Sequence, residues 1–168
     1  MIETYERLLV RLHEQFVLDN PDGKEADRIR EEMDDPWSRL TDEERDLLNH
    51  ASGNLYLLHG TWRSVKGEVN EGDLARATDP LEKLRLLCRI DFNHPLWESW
   101  DRRRLARELA QVYEAIGLKL VAKEFASFRS VPQYERLVRA RVRRKLAGDV
   151  KKSCTPAGGG VFLRRKPV

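Results

Sequence analysis

The chain has 168 residues, 35% of them charged and 8% aromatic, with a formal net charge of +3. That length suits one domain or one and a half with a genuine core, and the even spread of Leu, Ile, Val and Phe excludes a disordered chain. Apolar runs such as Leu8 to Val10 and Leu55 to Leu58 fall far short of a bilayer, and Glu3 and Glu6 stand where a leader would be basic, so the expectation is a cytoplasmic protein with no membrane association and with Cys88 and Cys154 as reduced thiols.

Tyr5, Leu8, Leu9, Leu12 and Phe16 recur at i, i+3, i+4, i+7 and i+11, which predicts an amphipathic helix ended by the turn chemistry of Asp19 to Gly23. Lys24 to Asp35 predicts a second helix with Ala26, Ile29 and Met33 on one face, stopping before Pro36. Thr41, with Glu44 three residues on, has the form of a capping box. The helix it opens carries Leu47, Leu48, Ala51, Leu55 and Leu58 and ends near Gly60. From Gly60 to Asp79 the period fails, which predicts a long loop with a short helix near Asp73 to Ala77.

Order returns at Asp79, which caps a helix with Pro80 at its first position and Leu81, Leu84, Leu87 and Cys88 on the buried side. The stretch Phe92 to Trp100 interrupts, and a helix resumes from Pro95 or Asp101 to Ile116, ended by Gly117. Leu118 to Phe128 predicts the next helix, and Pro132 to Ala147 the last, closed by Gly148. No window sustains a two-residue alternation. The fold class is therefore all-α, a small bundle of antiparallel helical hairpins with little or no sheet.

The organisation predicted is an acidic helical unit over 1–60, a seam over 61–79, a basic helical unit over 80–148 and a flexible basic tail over 149–168. Residues 1–80 hold 10 Lys/Arg against 19 Asp/Glu, and residues 81–168 hold 21 against 9, so the balance swings from −9 to +12. Such asymmetry points to a partner, whether nucleic acid, an acidic protein or the other half of the same chain.

Within 105–128, Leu109, Ala110, Tyr113, Gly117, Ala122 and Phe125 follow a small-and-aromatic spacing that resembles one tetratricopeptide-type helix–turn–helix. The resemblance covers about one repeat and implies a closely packed hairpin with Leu109, Tyr113, Ala122 and Phe125 in its seam. The N-terminal helices resemble small uncharacterised helical proteins of bacteria, a likeness that carries no activity.

Candidate chemistry is sparse. His13, His50, His59 and His94 make no metal spacing, since His50 and His59 fall about 180° apart on a helix and His13 lacks a second His at i+4. Asp27, Glu31, Glu32, Asp34 and Asp35 read as a solvated face that Arg28 and Arg30 partly neutralise. Ala157 to Val161 lacks the Lys-Ser/Thr ending of a phosphate cradle, and Ser153, Cys154 and Thr155 have no local base. No catalytic residue, metal site or cofactor is expected, and the chain is not read as an enzyme. Trp37, Trp62, Trp97 and Trp100 read as staples at helix ends, with Trp97 and Trp100 the candidates for aromatic anchors of a partner groove.

The strongest signal is Tyr134 to Gly148, with six Arg or Lys against Glu135. At about 100° per residue, Tyr134, Leu137, Val138, Val142 and Leu146 fall in one arc and Arg136, Arg139 and Arg143 on the opposite side. Arg141 and Lys145 fall inside the apolar arc, where their stems pack and their charges snorkel outward. The candidate partner- or phosphate-binding residues are Arg136, Arg139, Arg143, Arg144, Lys151 and Lys152, extended by Arg164, Arg165 and Lys166. The reading is a non-catalytic protein-interaction module, an adaptor or a self-associating chain. The alternative is a nucleic-acid binder that sets this stripe against phosphates.

Overall fold

A computed structural model describes residues 1–60, 69–90, 94–98 and 100–153, except the side chains of Pro95, Glu98 and residues 151–153. Trp62, Cys154, the glycine-rich run and the basic tail lie outside the described residues. The chain is all-α, and no strand occurs among the described residues: α1 (Ile2–Val17), α2 (Lys24–Ser38), α3 (Asp42–Leu58), α4 (Glu71–Arg76), α5 (Pro80–Leu87), a 3-10 turn (Pro95–Glu98), α6 (Arg102–Ile116), α7 (Lys119–Ser127) and α8 (Val131–Ser153). None of these helices is long and apolar enough to cross a membrane.

Local chemistry sets most of the boundaries. Thr41 and Glu44 close a reciprocal capping box at the start of α3, with bonds of 3.2 and 2.9 Å. Asn70, Asp79 and Asp101 accept from the third residues of α4, α5 and α6. Gly117 ends α6 at φ +99°, a conformation that strains any residue with a Cβ, so α7 follows after a two-residue link.

Two predicted stops fail. Helix α2 continues through Pro36 to Ser38, because Arg45 of α3 donates to the carbonyls of Trp37 and Ser38 and so satisfies its last turn. Helix α8 continues through Gly148, which lacks the positive φ that would turn the chain, so residues 149–153 are helical rather than tail. The short helix of the seam starts earlier than expected, at Glu71.

One hydrophobic core runs through both helical units, including Leu9, Ile29, Leu55, Leu87, Leu109, Tyr113, Phe125 and Val138. Tyr113 stacks on Phe125 at 5.7 Å between ring centroids, so the seam residues of the α6–α7 hairpin are interior as the spacing implied. Asn54 of α3 is wholly buried and donates to the Tyr113 hydroxyl at 2.6 Å, tying the N-terminal helices to α6. Lys83 pairs with Glu108 at 2.9 Å between α5 and α6.

The inner face of α1 is turned from the stripe expected. Leu8 and Leu9 are buried as expected, but Glu6, Val10, His13, Glu14 and Val17 are buried with them, while Tyr5 and Leu12 are only partly covered. Glu6 explains why. The residue before α7 is Leu118, which has no side-chain acceptor, and Glu6 Oε1 takes the Leu120 and Val121 N–H groups at 2.7 and 2.9 Å instead. A carboxylate from α1 thus serves as the N-terminal cap of a helix more than a hundred residues away, where the helix dipole also favours negative charge. Burial pushes the Glu6 carboxyl upward, and the two N–H bonds oppose that shift. Glu6→Ala leaves one buried and one partly buried amide without acceptors and is expected to lower stability by about 1–3 kcal/mol in urea unfolding, with Glu6→Gln recovering part of the loss.

Candidate functional site

The basic stripe is built on α8, and an ionic cluster that the sequence did not disclose sets the helix in place. Arg141 donates from Nη1 and Nη2 to the two oxygens of Glu124 on α7, at 2.6 and 2.9 Å. Its Nε lies 3.3 Å from Glu14 Oε1 on α1. Lys145 approaches the other oxygen of Glu14 at 3.1 Å, and the Tyr134 hydroxyl donates to Glu124 at 2.6 Å. Glu14 and Glu124 are buried, and the Arg141 side chain is 28% exposed. Arg141 therefore turns inward between two carboxylates rather than snorkelling to water.

Burial pushes the Glu124 carboxyl upward, but its bonds from Arg141 and Tyr134 outweigh burial and hold it below the usual carboxylate range. The Arg141 guanidinium is held more firmly protonated by Glu124, and burial beside Glu124 keeps the Tyr134 phenol neutral. The cluster is a docking device: paired charges at fixed distances select one rotation of α8 about its axis.

His13 closes the cluster from α1, its ring 6.1 Å from Tyr134 and 6.5 Å from His59. His13 is buried and its Nε2 has no hydrogen-bond partner. Burial above all, with smaller contributions from His59 and Arg141, lowers its pKa to about 4 against the opposing pull of Glu124. No group of three or more metal-ligating side chains placed to hold a metal ion occurs among the described residues.

With α8 fixed this way, the candidate residues separate. Arg139 lies 3.7 Å from Asp19 at the end of α1, so part of the stripe docks on the acidic half of the same chain. Arg136, Arg143 and Arg144 are exposed and make no ion pair among the described residues; Arg136 bonds only to the Pro132 carbonyl at 3.3 Å. The side chains of Lys151 and Lys152 lie outside the described residues. Tyr134 and Val138 are buried as the arc predicted, but Leu137, at the edge of the arc, is 40% exposed, and Leu146 is 62% exposed because the body of the protein ends before the last turns of the helix. From Arg143 to Val150 every residue is exposed, including Val150.

The tryptophan candidates divide too. Trp100 is buried, its Nε1 donating to Glu71 at 2.8 Å with the Arg104 guanidinium 4.2 Å from its ring centre, so it staples α4 to α6 and has no face left for a partner. Trp97 is half-buried. The acidic run on α2 is largely paired, Glu32 with Arg11 and Arg28, Asp27 with Arg30 and Asp35 with Arg39.

The cluster yields two expectations. Arg141→Met takes the paired cation from buried Glu124 and leaves Glu14 with Lys145 alone among the cations of the cluster, and should cost about 3–5 kcal/mol, with the added change Glu124→Gln returning part of it in a double-mutant cycle. For His13, the unfolded chain binds a proton below the ordinary histidine value of 6.5, whereas the folded chain does not until about 4. Stability therefore rises with pH across that window and levels off above it. Urea midpoints should show a loss of about 2 kcal/mol between pH 7 and pH 5 that His13→Leu removes.

Comparison of the chain with protein-family models, with curated proteins and with solved structures finds no match, so the roles of these residues rest on their geometry.

Proposed function

We propose that this is a non-catalytic, cytoplasmic interaction protein that uses the outer face of α8 to dock on an acidic protein surface. The observation that supports the reading is the composition of that face. Turning about 100° per residue, Val150 falls between Arg139 and Arg143, and Leu146 lies at the edge of the apolar arc where it meets Arg139; both apolar side chains are exposed. A surface made only for phosphate gains nothing from exposed Leu and Val, whereas a protein partner covers them while its carboxylates meet the arginines. The tetratricopeptide-like pattern of α6 and α7 belongs to the same reading, as hairpins of that kind build interaction surfaces. The second reading, nucleic-acid binding, draws on the spacing of Arg136, Arg139 and Arg143 at about one per turn.

Purification of the full chain at low salt tests both. A stoichiometric protein companion, or a second copy, that is lost when Arg143 and Arg144 are changed to Glu is the expected result. Nucleic acid that co-purifies and leaves in high salt supports the second reading instead. A salt-insensitive monomer with no companion overturns both.

A further inference from the structure

The proposed docking face has a complement on the same molecule. Between the first turns of α3 and helix α5 lies a surface groove of about 270 Å³, rimmed by Asp42, Glu43 and Asp46. Leu47, Leu81 and Leu84 form its apolar floor, with His50 and Arg85 completing the wall. Asp42 is partly occupied by Arg45 at 3.1 Å and Asp46 faces His50 at 3.6 Å, while Glu43 makes no ion pair among the described residues.

Leu81 is the key to the groove. The sequence pattern sets it on the buried side of α5, yet it is 43% exposed. The same happens to Leu146 on α8, which belongs to an apolar arc and is 62% exposed. Two leucines placed on inward faces by their helices are both left uncovered, one beside carboxylates and the other beside arginines.

Within one copy the two do not meet, since Leu81 and Leu146 are both exposed. Helix α8 is anchored through Tyr134 and Arg141 beside His13 and Glu14, and the His13 ring sits against Tyr56 and His59 at the C-terminal end of α3. The groove flanks the opposite end of α3, from Asp42 to His50. From His50 to His59 the helix rises about 13 Å, at roughly 1.5 Å per residue.

We infer that the occupant of the groove is the α8 tip of a second copy of this chain, with Leu146 and Val150 on the leucine floor, Arg143 beside them against Glu43 and Asp46, and Arg144 on the far side of the tip adding to its positive field. The inference rests on the reading of α8 as a docking face and names its partner. Because each copy carries one tip and one groove, the contact is heterologous, closing as a reciprocal pair or ring or else growing as a chain.

Sedimentation velocity of the full-length protein at low and high salt tests it, with circular dichroism melts to establish that each variant is folded. The native chain should associate at low salt and separate at high salt. Leu146→Asp and Leu81→Asp, on different helices, should each weaken association at least about tenfold. The double changes Arg143→Glu with Arg144→Glu, and Glu43→Lys with Asp46→Lys, should each abolish association alone. Mixed together, the two reversed chains should associate again, because the acidic tip meets a basic groove while the native tip meets the native groove. A monomeric native chain at low salt, association indifferent to either reversal, or a mixture that stays monomeric overturns the inference. If the monomer still carries a different protein through Arg143 and Arg144, the docking role of α8 stands and only the second copy is wrong.

Discussion

The placement of α8 depends on Arg141. Its guanidinium is forked onto Glu124 of α7 and flanked by Glu14 of α1, so one side chain joins three helices drawn from both ends of the sequence. A buried cluster of this kind adds little net stability over a well-packed apolar one, since desolvation of the charges offsets most of their attraction. What it supplies is specificity. Apolar contacts at Tyr134 and Val138 tolerate a small rotation of α8, whereas a bidentate bond to Glu124 does not. The rotation it selects turns Arg136 and Arg143 away from the body, so the external surface is set by the internal charge.

The remaining polar links work alike, each making up for something its own helix lacks. Helix α7 has no capping side chain, and Glu6 supplies one from α1. Asn54 on α3 finds its partner in Tyr113 on α6, and the short α4 is held by Glu71 through Trp100 and Arg104. The charge asymmetry of the sequence thus has a partly internal meaning. Arg139, Arg141 and Lys145 from the basic half meet Asp19 and Glu14 from the acidic half, which leaves a smaller and more localised excess on α8.

What the sequence disclosed was what neighbours along the chain decide. Thr41 with Glu44, Asp79 before Pro80, and Gly117 each set a boundary through residues within one turn, and each is legible in isolation. Pro36 and Gly148 misled because their effect depends on what surrounds them: Arg45 repairs the turn around Pro36, and nothing turns the chain at Gly148. The ionic cluster was the larger omission. Its signal was present in three places, with His13 and Glu14 among the buried positions of α1, Glu124 beside Val121, Ala122 and Phe125, and Arg141 in the apolar arc of α8. Snorkelling explains a lone cation on such an arc. Opposite charges recurring on the inward faces of different helices explain one another better, and that comparison needs the helices considered together.

The two halves of α8 obey different physics. Up to Val142 the helix is held by the core and by Arg141, but from Arg143 to Val150 every residue is exposed, with Lys145 reaching back to Glu14. Those turns include Gly148, about 1 kcal/mol poorer than Ala in a helix, and an isolated segment of that length would not stay helical in water. Their order is propagated from the anchored half, where the nucleation cost has already been met. Covering Leu146 and Val150 would add roughly 1.5–3 kcal/mol for each side chain fully buried, on the scale of the cost of fixing one or two residues. Docking and helical order at the tip are therefore coupled: a partner that covers these side chains stabilises the turns that present the arginines, and the internal cluster fixes the direction in which they are presented.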